Sequence, residues 1–446
     1  MSKSRVFTIL LMVLFAASVF AGGRQAQSTN WDDKIVRVLN YDNLTAPNTA
    51  ADLQWTYETF NEKHPEISVY REDLYNEPFH AKVEAYAASG NLPDVMYVWP
   101  SGRSTTLHKN KLLKNLEPLL RRDNLLNSYS AMALDPKQND SGYISYIPLG
   151  ITSSHAFYIN MEVLNDCGLQ PAKTYAELKA QVPVLRAKGY ETCIIPAKSD
   201  WVFQSCLFST LAGRFCGADW HERILAGKAK FSDADFVASL NFVKSLYDDG
   251  VIQRSALGID YDDGPGMFAT NKCAYYIDGD WRASAFITDS DTGQALFDPN
   301  TRQKNVLITV FPDIEGAKIN KSASVILGTG WAINAAIPAG SNREVAAWEL
   351  VKWLCGKECM ELGVLHGNFP TSTRTDLNIA GLALEPILRA VGNLGNEIVT
   401  GTAVIDGVFP PEVYMVVNDG LTELGLGSKT PQQVATEVQR AYDSVK

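Results

Sequence analysis

Several tryptophans, together with acidic and amide side chains, stand at predicted strand ends or in polar loops, where they could bind a small polyhydroxylated molecule. An aromatic ring can cover a flat face of C–H groups, and a carboxylate or amide can replace the water on hydroxyl groups. A buried hydroxyl left without a partner would cost about 1–3 kcal/mol. The residues that we predict to contact such a ligand are Trp281, Trp99, Trp201, Trp331, Asp280, Asp42 and Asn43.

The local sequence gives each tryptophan a different reason to face a ligand. Trp281 follows Asp278-Gly279-Asp280, and the glycine lets the backbone approach closely. Trp99 ends a strand and precedes Pro100-Ser101-Gly102, which predicts a turn. Trp201 follows three polar residues in a loop, where an exposed tryptophan has no other evident purpose.

A packing role is the alternative for each of these residues. Trp281 could be a core residue where two lobes meet, and Trp331 could equally be a buried residue at the start of a strand. Asp42 and Asn43 directly follow the first strand, and they and Asp280 could be solvated loop residues. Both interpretations stay open on the sequence alone.

Other kinds of chemistry have no matching pattern. The six histidines never occur at metal-ligand spacing, and no G-x-S-x-G or Walker loop is present. Asp289-Ser290-Asp291-Thr292-Gly293 resembles a calcium loop, but its glycine comes one place early and position twelve is Asn300, so we predict a turn. We therefore predict no metal, no cofactor and no catalytic activity.

The cysteines form no disulfide framework by spacing. There are seven of them, an odd number, and no C-x-x-C pair occurs. Cys355 and Cys359 lie on one predicted helix face, and Cys206 with Cys216 could close a loop. We predict that most are small buried hydrophobic residues.

The N-terminus predicts export. Lys3 and Arg5 precede an apolar run from Val6 to Phe15, and Val19-Phe20-Ala21 ends it with a small-x-small pattern. These features are typical of a secretory signal peptide, too short to span a membrane. We predict a signal over 1–21 and a flexible leader over 22–33.

The residue after the predicted cleavage point bears on anchoring. Bacterial lipoproteins carry a cysteine there, whereas this chain has Gly22 and its first cysteine is Cys167. We therefore predict a free periplasmic protein, with no membrane insertion after cleavage. The formal charge of −10 becomes more negative by two without the signal, which argues against nucleic-acid binding.

Alternating strands and helices predict a parallel α/β sheet at the start of the mature chain. Strands are predicted over 34–41, 67–71 and 93–99, with helices over 50–62 and up to Gly90 between them. Such β-α-β connections are right-handed, and ligands bind at the carboxyl ends of the strands.

Later helices are marked by capping residues. Thr174 with Glu177 and Thr430 with Gln433 each form a predicted capping box. Between them, Ser232 is predicted to begin another helix, which ends at Gly250. Neither an internal repeat nor a low-complexity linker is present, so two lobes would have to be joined by short, ordered crossings.

An ordered set of short motifs resembles the sugar-binding solute receptors of ABC importers, the group that includes maltose-binding protein. Two departures stand out: Ile159 separates Tyr158 from Asn160, and Tyr175 stands where the family has tryptophan. Each motif is weak alone, but they follow the family's order over nearly the whole mature chain. The motifs are Phe60–Ile67, Ala88–Val95, Tyr146–Gly150, Tyr158–Asn160, Cys167–Glu177, Gly266–Ala269, Asp278–Trp281, Gly328–Ile333 and Glu344–Leu354.

The resemblance implies a bilobal α/β fold of the periplasmic-binding-protein type, with two discontinuous lobes and a hinge of three crossings. It places one lobe at 34–148 plus 312–358 and the other at 149–311 plus 359–446. The crossings are expected near 147–151, 306–312 and 357–365. It also implies a tryptophan at position 281 that contacts ligand, a carbohydrate ligand, ABC permease subunits as partners, and a monomer.

Two other functions remain open. The ligand of such a binding protein could be a glycerol phosphate, a polyamine or a peptide. An exported glycoside hydrolase would also bind sugar between two carboxylates. Asp262-Asp263 and the pair Asp278 and Asp280 are the acidic clusters available for that role, and neither lies in a recognisable catalytic motif.

Overall fold

A computed structural model describes residues 30–100, 102–369 and 371–446. The predicted signal peptide, over 1–21, lies outside the described residues, as does the leader up to residue 29. Among the helices that are described, none combines the length and apolar character that a membrane span requires.

Thirteen strands and eighteen α-helices are described. The strands are β1 (Ile35–Tyr41), β2 (Ser68–Leu74), β3 (Val95–Val98), β4 (Ile147–Pro148), β5 (Gly150–Ser153), β6 (Ala156–Asn160), β7 (Glu191–Ile194), β8 (Cys273–Asp278), β9 (Val306–Thr309), β10 (Ser322–Leu327), β11 (Gly330–Ile333), β12 (Thr371–Ser372) and β13 (Thr400–Thr402). The helices are α1 (Thr49–Lys63), α2 (Glu77–Ala88), α3 (Thr105–Lys109), α4 (Glu117–Arg122), α5 (Met161–Asp166), α6 (Tyr175–Ala187), α7 (Asp200–Phe203), α8 (Ser209–Cys216), α9 (Trp220–Leu225), α10 (Ala234–Asp248), α11 (Gly264–Ala269), α12 (Asn342–Leu354), α13 (Lys357–Leu365), α14 (Pro386–Gly392), α15 (Leu394–Glu397), α16 (Ile405–Val408), α17 (Pro411–Leu426) and α18 (Pro431–Val445).

The first lobe is built on a five-stranded sheet in the order β2-β1-β3-β11-β4. β1 pairs in parallel with β2 and β3, and α1 and α2 connect these strands as the sequence predicts. β11 returns from far along the chain and pairs antiparallel with β3. The hydrophobic residues of α1 and α12 pack on one face of this sheet, including Phe60 and Trp348.

The second lobe is built on a four-stranded sheet in the order β7-β8-β6-β9. All six residues of β8 are buried, as expected for a central strand that is covered on both faces. One face packs against a core that includes residues of α6, α10, α17 and α18. The other face packs against a smaller cluster that includes Phe268 and Phe286.

A third sheet joins the lobes. Its order is β12-β5-β10-β13, so the chain passes between lobes along β5 and again along β10. These two strands are antiparallel neighbours, with Ile151 opposite Leu327. Two adjacent, hydrogen-bonded crossings form a hinge that can bend while keeping the lobes in register.

The three predicted lobe boundaries lie at different positions relative to the packed cores. The first, at 148/149, lies between β4 and β5. The second, at 311/312, lies before Ile314, which packs in the core of the second lobe, and the chain reaches the first sheet at β11. The third, at 358/359, falls inside α13, whose Met360 and Val364 pack in the core of the first lobe, whereas Ile387 packs in that of the second. We propose that the lobes divide near residues 150, 325 and 385.

Two of the three predicted helix starts have the capping residues that the sequence predicts. Thr174 with Glu177 and Thr430 with Gln433 both form complete capping boxes. The helix predicted to begin at Ser232 is α10. It begins at Ala234, and its N-cap is Asp233, one residue after the predicted Ser232. Local hydrogen bonding therefore explains the starts of α6 and α18 without any tertiary information.

All seven cysteines are unpaired. Five of them are buried, namely Cys193, Cys206, Cys216, Cys273 and Cys355, and the other two are partly buried. Their prediction as small buried hydrophobic residues is confirmed for these five.

Candidate functional site

A cavity of about 370 Å³ lies between the two lobes and extends to the hinge sheet. It is within the range of small-molecule pockets. Aromatic rings dominate its walls, and a few charged and hydroxyl groups are placed among them. The lining includes Tyr41, Asp42, Asn43, Asp52, Tyr75, His80, Tyr97, Trp99, Arg103, Ser154, Trp201, Ser205, Tyr261, Trp281, Arg282, Thr329, Trp331, Asn368, Phe369 and Asp406.

The first lobe contributes a wall of rings at the carboxyl ends of its parallel strands. Tyr41 ends β1 and lies 5.0 Å from the ring of Trp99, which follows β3. The Tyr41 ring also stacks on that of Tyr97 at 5.9 Å, and Tyr97 meets Trp331 edge-on at 5.3 Å. This contiguous surface presents ring faces and edges to the cavity, as expected for binding the C–H face of a ligand.

The second lobe contributes a smaller aromatic group. The Trp281 indole N–H donates to the Tyr261 hydroxyl at 2.8 Å, and the Trp201 ring lies 4.9 Å from that of Tyr261. Below them, the Arg282 guanidinium lies 3.7 Å from the Tyr261 ring centroid and donates to Asp278 at 2.9 Å. The buried Arg282–Asp278 pair thus supports the rings from behind.

Hydroxyl groups and irregular backbone line the hinge side of the cavity. The helical turn Gln204–Phe208, between α7 and α8, has π geometry. Such turns free backbone carbonyls from the helix ladder. The Ser154 hydroxyl donates to the carbonyl of Ser205 at 3.0 Å, and His155 contacts that of Cys206 at 2.6 Å. This π turn therefore attaches the second lobe to the segment that follows β5.

The lobes touch each other directly at two places beside the cavity. Asn48, which precedes α1, donates to the carbonyl of Thr288 at 3.0 Å and accepts from the Ser290 N–H at 2.9 Å. At the second place, Arg103 of the first lobe donates to Asp406 of the second at 3.3 Å. The two lobes are thus in a closed arrangement.

Gly102 makes the closest approach at the second contact. Its φ is +49°, and a Cβ at this position would lie 1.5 Å from the carbonyl oxygen of Asp406. Glycine therefore serves two needs here, a left-handed backbone and a surface without a side chain against the opposite lobe.

Six of the seven predicted ligand-contacting residues lie in the cavity wall: Asp42, Asn43, Trp99, Trp201, Trp281 and Trp331. The seventh, Asp280, does not line it. The Asp280 side chain is buried behind the wall, where its carboxylate accepts from the Ser153 N–H of the hinge at 2.7 Å. We therefore place Asp280 as a hinge contact, whereas ligand contact by the other six stays a prediction.

Several further wall residues lie at strand ends or next to a predicted ligand-contacting residue, so the sequence could have indicated them. Tyr41 and Tyr97 lie at the ends of β1 and β3, beside Asp42 and Trp99. Tyr75 directly follows β2, and Arg282 directly follows Trp281. For Tyr261 and Asp406 no local pattern exists, because only the tertiary fold brings their loops to the cavity.

Burial changes the protonation of two cavity residues. It raises the pKa of Asp42 to about 8, helped by the nearby carboxylate of Asp73 and opposed by Arg71. It lowers the pKa of His80 to about 3, and Arg103 lowers it further, so this imidazole is neutral at pH 7. The wall therefore contains an acid that holds its proton close to physiological pH.

We expect Asp42→Asn to raise the melting temperature of the ligand-free protein at pH 9 but hardly at pH 4. The pKa of Asp42 is higher in the folded protein than its ordinary value of 3.8, so its contribution to stability is lost as pH rises from about 4 to about 8. The groups around it, Asp52, Asp73, Arg71 and Tyr57, are common to both proteins and cancel in the comparison. A gain of several degrees at pH 9, measured by calorimetry, is the expected result, and a difference that does not depend on pH would contradict it.

No group of three or more His, Cys, Asp or Glu that could hold a metal occurs among residues 30–100, 102–369 and 371–446. The calcium-like loop is a turn whose Asp289 accepts from both the N–H and the hydroxyl of Thr292 at 2.8 Å. The cavity's rings, hydroxyls and single ionisable groups can enclose and hydrogen-bond a small molecule. Its geometry is that of a small-molecule binding site between two lobes.

A family of known proteins matches most of the chain. The sequence profile described as bacterial extracellular solute-binding protein matches residues 42–359, which run from the end of β1 into α13 and include the second sheet and the crossing strands β5 and β10. No curated protein matches the chain by sequence.

Solved structures resemble the whole fold at low identity. A chitin oligosaccharide binding protein superposes with a TM-score of 0.81 at 21% identity, over 93% of this chain and 99% of that one. A structure from work on xylan utilisation by Caldanaerobius polysaccharolyticus has a TM-score of 0.81 at 19% identity, over 91% and 99%. A maltose-bound protein of T. maritima has a TM-score of 0.71 at 16% identity, over 92% and 100%. These similarities establish the bilobal solute-binding fold.

Proposed function

Because the chain belongs to the bacterial extracellular solute-binding protein family, we propose that it is the substrate-binding component of an ABC importer that captures a mono- or oligosaccharide. The observation that carries this proposal is the cavity between the lobes, in which the rings of Trp99 and Trp281 stand on opposite walls. A pyranose ring has two apolar faces and a polar rim, which suits a site with aromatic walls on both sides. The solved structures with the same fold include proteins described as binding chitin oligosaccharide and maltose.

The hinge supplies the mechanism of capture. Ligand enters while the lobes are apart and binds to one wall, and the lobes then close along β5 and β10 until Asn48 and Arg103 meet the second lobe. Closure removes water from the rings, and the hydroxyls of Ser154 and Thr329 lie at the hinge side to meet the polar rim. The closed form would then be recognised by the permease subunits of the importer.

The remaining parts of the proposal concern the setting. We propose an exported, periplasmic protein that acts as a monomer, without a lipid anchor and without catalysis. The predicted signal peptide and the family support export. A binding protein needs neither cofactor nor metal for this role.

We expect a neutral mono- or oligosaccharide to raise the melting temperature of the protein and to quench its tryptophan fluorescence. Ligand that binds only the folded protein stabilises it by about 2.7 kcal/mol at a hundred times the dissociation constant. The fluorescence change follows from the four tryptophans in the cavity wall, Trp99, Trp201, Trp281 and Trp331. A differential scanning fluorimetry panel of neutral sugars provides the measurement.

The same panel contains the outcome that contradicts the proposal. It should include a glycerol phosphate, a polyamine and short peptides, because these are the ligands of the alternative binding functions. A melting shift with one of them and with no sugar would exclude sugar capture. Mass spectrometry of the incubated oligosaccharides reports shortened chains if the protein hydrolyses them.

A further inference from the structure

The charged groups that line the cavity are almost all paired within the protein. Arg103 donates to Asp406 at 3.3 Å and to Glu77 at 3.0 Å. Arg282 donates to Asp278 at 2.9 Å. Both cations of the wall therefore already have carboxylate partners, and neither offers an unpaired positive charge to a ligand.

Asp42 differs from the other acids of the wall. Asp52 has the imidazole of His366 at 2.7 Å, and Asp406 has Arg103. Within the described part of the chain, no hydrogen bond or ion pair reaches the Asp42 carboxyl. Its nearest cation, Arg71, is held by Asp73 at 2.9 Å.

The position of Asp42 is fixed by the backbone. It directly follows β1, and its N–H donates to the carbonyl of Leu74 at 3.0 Å, which ties it to the end of β2. Beside it, Tyr57 donates its hydroxyl to Asn40 at 2.6 Å and so is not available to Asp42. The Asp42 carboxyl is thus positioned in the cavity wall without a hydrogen-bond or ion-pair partner among the described residues.

The rings beside Asp42 also favour a positive charge. Tyr41 precedes it, and the Tyr41 ring belongs to the same cluster as Tyr97 and Trp99. Aromatic faces attract cations, more strongly when water is excluded. The partly buried Asp42 carboxyl is protonated at pH 7, and an ammonium beside it would favour release of that proton and then pair with the carboxylate.

We propose that Asp42 selects a sugar or cyclitol that carries a protonated amine over the neutral analogue. This inference rests on the proposed capture of a sugar and adds the charge of the preferred ligand. The ammonium would give the Asp42 carboxyl a charged partner as its proton is released, and it would lie against the rings of the wall, whereas a hydroxyl or an acetamide at the same position supplies no charge.

The test uses matched probes on the full-length protein. Sugars of gluco, galacto and manno configuration, as monomers and as short oligomers, are each titrated in three forms: hydroxyl, free amine and N-acetyl. Calorimetry at pH 7 is expected to give at least tenfold tighter binding of the amine form for the configuration that binds. In Asp42→Asn this preference is expected to disappear, while the affinity for the hydroxyl form changes much less.

A matched control separates the local charge from the overall field. Glu58→Gln removes the same charge from the exposed surface of α1, where Glu58 accepts from Gln54 at 2.9 Å. We expect Glu58→Gln to keep the full preference for the amine, because salt screens a surface charge at this distance. Thermal unfolding of both variants checks that each is folded.

The outcomes distinguish this inference from the proposed function. Equal or weaker binding of the amine forms, or a preference that survives in Asp42→Asn, overturns the inference and leaves sugar capture standing. Binding of a simple polyamine with no sugar in any form overturns both, because the ligand would then not be a sugar.

Discussion

Replacing Trp281 with alanine is expected to weaken ligand binding by tenfold or more. The ring forms part of the second lobe's wall, held by its hydrogen bond to Tyr261 at 2.8 Å and by Gly279, where a Cβ would lie 2.3 Å from the indole. Removing the ring takes away the surface on which one face of the ligand packs. Each tenfold loss corresponds to ~1.4 kcal/mol.

Two further variants make this result interpretable. Trp281→Phe retains a ring in the wall, so we expect it to keep most of the affinity that alanine loses. Trp55→Ala removes a tryptophan that is 39% exposed on α1 and packs against Trp353, outside the cavity, so its affinity should equal that of the wild type. Unchanged binding by Trp281→Ala in isothermal calorimetry would show that this residue only packs the lobe.

Adding a single methyl group at Gly102 is expected to abolish closure. In Gly102→Ala the new Cβ would have to occupy the place of the Asp406 carbonyl oxygen, 1.5 Å away on the other lobe. Neither backbone can move without tilting the lobes apart, so we expect ligand affinity to fall by about a hundredfold or more. Small-angle scattering should show the compaction of the wild-type protein on ligand addition and none for the variant.

The control for this variant is a glycine with the same backbone and no opposing lobe. Gly90 has φ +66°, and a methyl group added there would meet nothing within 4 Å, so Gly90→Ala carries the left-handed strain alone. We expect both alanine variants to lose similar stability, by about 1–2 kcal/mol, but only Gly102→Ala to lose binding. Wild-type affinity together with normal compaction in Gly102→Ala would refute the assignment of this contact to closure.

Local sequence patterns account for the elements of the first lobe and for the residues at its strand ends. The alternation of β1, α1, β2, α2 and β3 follows from hydrophobic spacing, and parallel pairing places their carboxyl ends together. Asp42, Asn43 and Trp99 were therefore predictable as cavity residues. The same rule would have added Tyr41 and Tyr97.

The parts that sequence could not supply depend on pairing between distant segments. β11 inserts beside β3 across about 235 residues of chain, and β10 pairs with β5 across about 170. Neither the second lobe boundary nor the approach of Asp406 therefore has a local signal. Asp280 is instructive for another reason. The motif Asp278-Gly279-Asp280-Trp281 predicted that Asp280 contacts the ligand. Its carboxylate accepts a hydrogen bond from the Ser153 N–H in the hinge, a long-range contact that no sequence pattern indicates.

The two contacts between lobes also determine how a captured molecule can leave. Both the hydrogen bonds of Asn48 and the ion pair of Arg103 must separate before the cavity opens, so the opening of the lobes precedes every dissociation event. Ligands of different affinity should then enter at similar rates and differ mainly in residence time. In the proposed role as a binding component of an importer, these contacts would lengthen the lifetime of the closed form and so favour its encounter with the permease subunits.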